Sequence, residues 1–127
     1  MGGQIRPVAI DHVVLVVEDA QASLDWYVDV IGCAPERVDE WRAGETPFPS
    51  VRISDTAVID LVEGERTGQN VDHLAIVVDP TVDLDEAAGR IEGASGPRDL
   101  WGARGYGRAW YVRDPDGNGV ELKQYPS

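Results

Sequence analysis

The chain has 127 residues, of which 43% are hydrophobic, and this size and composition predict one globular domain with a sizeable core. Its net charge of −12 at pH 7 opposes binding to nucleic acid or anionic lipid, because affinity for phosphate depends on clustered Lys and Arg. Cys33 is the only cysteine, which excludes an internal disulfide and a cysteine-rich zinc site. We therefore expect a cytoplasmic protein that has no nucleic-acid or membrane partner.

The first half of the chain predicts a strand, a helix and three further strands. The apolar, β-branched run at 13–17 indicates a strand that carries His12 at its start. Polar residues interrupt the run on both sides, so it is too short for a membrane span and unlike a signal peptide. A helix is indicated by apolar residues at helical spacing, with Asp19 as N-cap and Gly32 at the end: Leu24, Tyr27, Val28 and Ile31. Extended segments are predicted at about 35–41, 49–54 and 57–62, with loops at 44–49 and 64–70.

The second half predicts the same elements in the same order. A strand is indicated at 71–78, and a helix before Gly93 by Leu84, Ala87, Ala88 and Ile91. Extended segments follow at about 97–101, 107–113 and 119–124. The run 114–118, Asp-Pro-Asp-Gly-Asn, predicts a hairpin turn between the last two strands, because Asp-Gly tolerates the positive φ that tight turns require.

The two halves share one register, which indicates an internal duplication. His73 follows His12 by 61 residues, and the same spacing relates Val51-Arg52 to Val112-Arg113 and Ile59-Asp60-Leu61 to Val120-Glu121-Leu122. The apolar positions of the two helices are displaced by one residue from this spacing, which an insertion or deletion near Pro80 would explain. We predict an α+β fold in a single domain, 1–127, with βαβββ modules at about 8–63 and 71–125 and a linker at about 64–70.

Four ionisable side chains occupy equivalent places in the two modules: His12 and His73 on the first strands, Asp60 and Glu121 on the last. If the modules pair symmetrically, these groups converge. Imidazole and carboxylate together suit Zn, Ni, Co, Mn or Fe(II), and a cation would offset the cost of placing a charged carboxylate in an apolar strand. We therefore expect these four residues to bind one divalent metal ion.

Two alternatives remain at this point. Each histidine could instead be structural and hydrogen-bond to a backbone group, although the repetition of the pattern favours a metal. Asp60 is one methylene shorter than Glu, so it could bind the metal directly, act through water or another ligand, or face solvent.

At these residues the chain resembles the vicinal oxygen chelate (VOC) superfamily, which includes glyoxalase I, methylmalonyl-CoA epimerase, extradiol dioxygenases, and fosfomycin- and bleomycin-resistance proteins. The resemblance covers nearly the whole chain and rests on 10–12 (Ile-Asp-His), 71–73 (Val-Asp-His) and the closing hairpin 111–122. It implies a curled, open, mixed sheet around a metal bound by His12, His73 and Glu121. It places Asp60 at the fourth ligand position, where lyase-like members usually have Glu or Gln. It also implies a homodimer.

The resemblance allows more than one function. Our leading expectation is a glyoxalase I-like lyase or isomerase that acts by metal-assisted proton transfer on a small substrate, with Glu121 as base and Asp60 able to act from the opposite side. A Fe(II) extradiol-type dioxygenase needs only His12, His73 and Glu121, but such enzymes usually carry a further acid–base histidine that this chain lacks.

The third possibility is a non-catalytic, bleomycin-resistance-like protein that binds a drug. The acidity and four tryptophans, Trp26, Trp41, Trp101 and Trp110, are compatible with it, whereas such binders generally lack the metal ligands. We expect Trp26 to pack in the core. A glycine-rich stretch with Arg104 and Arg108 predicts, at most, a loop whose arginine contacts an anionic substrate group.

Overall fold

A computed structural model of the chain describes residues 6, 10–102 and 104–126, apart from the side chain of Trp101. The chain divides into two compact units, Met1–Gly64 and Glu65–Ser127. Each unit contains one open, four-stranded mixed sheet. Over the described residues, no helix has the length and apolar character needed to cross a membrane.

The first unit builds its sheet from four strands in the order β1-β4-β3-β2, with β1 parallel to β4 and the other pairs antiparallel. Its elements are β1 (His12–Val17), α1 (Ala20–Trp26), a π-helical turn (Tyr27–Ile31), β2 (Ala34–Glu36), α2 (Val38–Arg42), β3 (Ser50–Ser54) and β4 (Ala57–Glu63).

The second unit repeats this topology in the order β5-β8-β7-β6, again with one parallel pair, β5 with β8. Its elements are β5 (Leu74–Val77), α3 (Leu84–Gly89), β6 (Ser95–Gly102), β7 (Gly105–Arg113) and β8 (Gly119–Gln124). The predicted α+β fold of two βαβββ modules is confirmed, with α2 as an additional short helix in the first.

The strand registers of the two sheets repeat at the spacing of 61 residues found in the sequence. Val13 lies opposite Ile59 in the first parallel pair, and Leu74 lies opposite Val120 in the second. In the antiparallel pairs, Ser50 lies opposite Asp60 just as Tyr111 lies opposite Glu121. Equivalent residues therefore occupy equivalent positions in the two sheets.

The helix ends follow the predicted caps in part. The Asp19 carboxylate accepts a hydrogen bond from the Ala22 backbone N–H, and Gly32 ends the π-helical turn with φ +93°. In the second unit Asp83 caps α3, but the helix ends at Gly89, so the expectation that it continues to Ile91 is wrong. Glycine is a poor helix former, and it ends the helix before the apolar spacing does.

The predicted extended segment at 35–41 is also wrong beyond Glu36, because α2 occupies most of it. Arg37 adopts φ +57°, a left-handed conformation that turns the chain out of the sheet. The acids of the first helical turn, Asp39 and Glu40, then favour α2 through the helix dipole.

Alternation along the strands gives each sheet one apolar and one polar face. In the first sheet Leu15, Ile59 and Leu61 are buried on the apolar face, and α1 contacts β4. In the second sheet the buried apolar face carries Val112, Val120 and Leu122, and α3 contacts β6 and β7. The histidines and acids of interest therefore lie on the opposite, polar faces.

Candidate functional site

His12 begins β1 and is held by its neighbour in the sequence. Its Nδ1 lies 2.7 Å from Asp11 Oδ2, and the imidazole is about half exposed. This hydrogen bond raises the pKa of His12, with a smaller contribution from the charge of Asp60. A histidine whose Nδ1 is bound by a carboxylate presents Nε2 to a metal, which is the usual arrangement of metal-binding histidines.

Asp60 lies on β4, and its buried carboxylate is compensated by protein groups. The Ser50 hydroxyl donates to Asp60 Oδ1 at 2.6 Å, and the Arg37 guanidinium donates to the same oxygen at 3.2 Å. The cation that a buried carboxylate requires is therefore supplied here by Arg37. Direct metal binding through Oδ1 would have to compete with both donors.

The second unit brings its two predicted ligands together. His73 Nε2 lies 3.4 Å from Glu121 Oε1, while His73 Nδ1 lies 2.6 Å from Asp72 Oδ2. The hydrogen bond from His73 lowers the pKa of Asp72. One imidazole nitrogen and one carboxylate oxygen therefore face each other at a separation that a cation bound to both, at about 2.0–2.2 Å from each, would fit.

Two further side chains contact Glu121. The Tyr111 hydroxyl donates to Glu121 Oε1 at 2.8 Å, and Lys123 Nζ lies 3.8 Å from Oε2. Burial, followed by this hydrogen bond to Glu121, raises the pKa of Tyr111. Lys123 is itself buried and donates to the Leu100 carbonyl. Glu121 is thus a buried carboxylate whose two oxygens face different partners.

The donor types fit a divalent metal, but the predicted ligands are divided two to each unit. Within the described part of either unit, no three His, Cys, Asp or Glu side chains lie close enough to hold a metal ion. The expectation that His12, His73, Glu121 and Asp60 share one cation therefore stays a prediction.

The 61-residue spacing also relates polar residues that were not predicted to belong to the site, among them Arg52 and Arg113, which the sequence related by register alone. Beside the histidines and acids, it relates three pairs of polar residues on the same strands or next to them: Arg37 and Arg98, Ser50 and Tyr111, and Arg52 and Arg113. A comparison of the halves at every polar position would have found them.

Each unit has a cavity lined by its own set of these residues. The first cavity, of 810 Å³, is lined by residues that include His12, Arg37, Arg52 and Asp60. The second, of 700 Å³, is lined by residues that include His73, Arg98, Tyr111 and Arg113.

The arginine expected from the glycine-rich stretch is already paired within the second unit. Arg108 Nη1 donates to both carboxylate oxygens of Asp85, at 3.2 and 3.0 Å. Trp110 Nε1 donates to Asp85 Oδ1 at 2.8 Å. The Arg104 guanidinium lies 5.8 Å from the centroid of the Tyr125 ring. Arg108 thus ties β7 to α3, and neither Arg104 nor Arg108 lines the two cavities around the candidate ligands.

The tryptophans are distributed among several environments. Trp26 packs edge-on against the buried Tyr27, with ring centroids 4.9 Å apart, but it is only partly buried and so borders the core rather than lying in it. Trp41 lies on α2, and Trp110 is fixed by Asp85. The side chain of Trp101 lies outside the described residues. The described tryptophans therefore line neither of the two cavities around the candidate ligands.

The chain thus consists of two βαβββ modules, each with a histidine at or next to its first strand and an acid on its last. A family model described as the Glyoxalase/Bleomycin resistance protein/Dioxygenase superfamily matches residues 9–122, and the chain belongs to this superfamily. Among curated proteins, no sequence relative matches the chain.

Solved structures share the fold across the whole chain. A glyoxalase/dioxygenase from Nostoc punctiforme is 24% identical, with a TM-score of 0.73 and coverage of 100% of this chain and 99% of that one. TnmS3, an antibiotic binding protein from Streptomyces sp. CB03234, is 21% identical, with a TM-score of 0.71 and coverage of 98% and 100%. Lactoylglutathione lyase from Agrobacterium tumefaciens is 21% identical, with a TM-score of 0.65 and coverage of 94% and 95%. At these identities the likeness shows the fold alone.

Proposed function

We propose that this chain is a divalent-metal-dependent enzyme that catalyses glyoxalase I-like proton transfer, as a lyase or isomerase, on a small substrate with two chelating oxygens. The observation that carries the proposal is the pair His73 and Glu121, whose Nε2 and Oε1 atoms lie 3.4 Å apart on one face of the sheet. Asp72 holds the other nitrogen of His73 and so fixes the orientation of the ring.

The proposed metal ligands are His12, His73 and Glu121, and the metal is Zn, Ni, Co, Mn or Fe(II). Asp60 would join them only by releasing Arg37 and Ser50, which now donate to its Oδ1. We therefore assign Asp60 a supporting role, in which it holds Arg37 at the edge of the first cavity. This refines the four-ligand set that the sequence suggests.

A divalent cation bound by these residues would supply a Lewis acid that polarises the substrate oxygens. Glu121 would act as the base that accepts the carbon-bound proton. It would do so through a carboxylate oxygen that is bound neither to the metal nor to another side chain during the transfer. The Tyr111 hydroxyl orients Glu121 by its hydrogen bond to Oε1, and Lys123 lies beside Oε2. The buried position of Glu121 excludes water from the transferred proton.

A second candidate function is favoured by the pairing of Asp60 with Arg37. This pairing leaves two histidines and one carboxylate, which is the ligand set typical of Fe(II) oxygenases. A dioxygenase would therefore use the same three residues with iron. Binding of an antibiotic-like molecule without catalysis is the function that remains if no metal binds. For each of these functions we also propose a homodimer, which is the commonest oligomer of soluble proteins.

The proposal is tested by elemental analysis of tag-free protein and of the variants His12→Ala, His73→Ala and Glu121→Ala. We expect near-stoichiometric metal in the wild type and loss in all three variants, with retention in the matched control Asp60→Asn. A wild type that is metal-free and does not bind added cations would overturn the enzyme proposal.

The two enzymatic functions are separated by the metal and by the reaction. Zinc, nickel or cobalt, together with exchange of a substrate C–H proton for solvent deuterium, supports proton transfer. Iron together with consumption of oxygen supports the dioxygenase instead.

A further inference from the structure

We propose that the cavity of the second unit is an anion subsite in which Arg98 and Arg113 bind a carboxylate or phosphate group. That the anion belongs to the substrate rests on the proposed function, whereas the binding of the anion does not. The substrate class would then be a small organic acid or phosphate ester.

The first argument is a difference between the equivalent cavities of the two units. In the first unit both arginines are neutralised: Arg37 pairs with Asp60 at 3.2 Å, and Arg52 Nε pairs with Glu36 Oε1 at 2.6 Å. The position equivalent to Glu36 in the second unit is Pro97, which has no charge to offer. Arg113 therefore has no carboxylate at the position that neutralises Arg52. The residue equivalent to Asp60 is Glu121, and its carboxylate contacts Tyr111 and His73.

The second argument is what Arg98 and Arg113 contact instead. Arg98 donates to the Ser95 hydroxyl at 3.0 Å and lies 5.5 Å from the centroid of the Tyr111 ring. Arg113 donates to the Gly117 carbonyl at 2.9 Å. Among the described residues, neither forms an ion pair with a carboxylate. Both guanidinium groups keep donors for an incoming anion, since each has five N–H groups.

The third argument is the charge of the cavity wall. Of the described lining residues, Asp72 is the one carboxylate, and it is hydrogen-bonded to His73. Two arginines against one engaged carboxylate leave a local positive charge in a chain of net charge −12. An anion attracted here is bound by local contacts rather than by the overall field.

The fourth argument is position. Tyr111 and Arg113 alternate along β7 and so lie on the same face of the sheet, opposite Glu121 and Gly119. Arg98 on β6 reaches the Tyr111 ring. An anion between the two arginines would therefore lie on the face that carries the candidate base Glu121. Guanidinium groups suit carboxylate and phosphate because their planar donors match two oxygens at once.

The test uses full-length, tag-free protein from which metal has been removed by a chelator and the chelator by dialysis. Malonate and inorganic phosphate are titrated at constant ionic strength, and the arginine Nε–H resonances are followed by NMR. Malonamide, which has the shape of malonate without its charge, is the ligand control. The variants are Arg98→Gln and Arg113→Gln, with Arg52→Gln as the matched control from the equivalent position of the first unit.

We expect malonate or phosphate to shift the Arg98 and Arg113 resonances, and each cavity variant to weaken binding about tenfold or more. Arg52→Gln should bind as the wild type does, and circular dichroism should show that all variants are folded. Stronger binding of malonate than of phosphate assigns a carboxylate substrate, and the reverse assigns a phosphate ester.

Three results would overturn the inference: no shift with either anion, equal binding of malonamide, or equal weakening in Arg52→Gln. Because the protein is metal-free, a failure of the metal proposal leaves this result unaffected. A protein that binds metal but neither anion overturns the anion subsite alone.

Discussion

The pair formed by Arg37 and Asp60 predicts an asymmetry between two single substitutions. The Asp60 side chain is 9% exposed, whereas the Arg37 side chain is 47% exposed. In Asp60→Asn the guanidinium is left at the surface, where water solvates it. In Arg37→Gln the buried carboxylate loses its cation and keeps only the hydrogen bond from Ser50 at 2.6 Å.

The expected magnitudes follow from these exposures. Asp60→Asn should lower the free energy of unfolding by about 1 kcal/mol, because Ser50 can still donate to the amide oxygen. Removal of one partner of a fully buried pair costs about 3–5 kcal/mol, and the half-exposure of Arg37 reduces this to about 2–3 kcal/mol for Arg37→Gln. The double variant should cost less than the sum of the two, because the uncompensated charge is gone.

The assay is urea unfolding at pH 7 of the wild type, the two single variants and the double variant. The double-mutant cycle then gives the coupling energy between Arg37 and Asp60. Equal costs with an additive double variant would refute the reasoning, since the carboxylate would then draw its compensation from another group. If Arg37→Gln is harmless while Asp60→Asn loses bound metal, Asp60 is a metal ligand after all.

Three further predictions concern single residues. Burial raises the pKa of the Cys33 thiol from 9.0 to about 11. Iodoacetamide at about pH 8 should therefore modify Cys33 about 100-fold more slowly than an unperturbed thiol. Equal rates would contradict the burial of Cys33. Gly117 has φ +81° with open space around it, so Gly117→Ala should destabilise the hairpin by about 1–2 kcal/mol in urea unfolding, and Gly117→Asn by less. The raised pKa of Tyr111 means that its contribution to stability is full below pH 10 and is lost as pH rises through the folded pKa. Tyr111→Phe should remove a tyrosine that ionises above pH 10 from a spectrophotometric titration, and loss of a group that ionises below pH 10 would contradict this.

The duplication made most of the fold predictable from the sequence. Because one spacing relates two segments in each half, it indicated that the elements of the first half recur in the second. The pairing of β1 with β4 and of β5 with β8 is shown by the structure alone. Asp19 and Gly32 act locally, through a cap and a left-handed residue, so their roles could be predicted without tertiary information.

The features that differ from the sequence-based predictions depend on backbone conformations that hydrophobic spacing does not encode. The left-handed Arg37 ends β2 and begins α2, and nothing in the apolar pattern marks it. The same residue compensates Asp60, so the sequence predicted a buried acid in need of a cation but not that an arginine would supply it. Pairing of polar side chains depends on the tertiary structure, whereas the succession of elements along the chain followed from repetition.

The shared cation can be tested most directly by following the two histidines of the chain, which are its only ones. In tag-free protein their ring protons give two sets of NMR signals, which His12→Ala assigns. We predict that zinc shifts the signals of both His12 and His73 together and that the change is complete at one equivalent. Shifts of a single histidine, completion at two equivalents, or no shift would contradict a metal held jointly by the two modules.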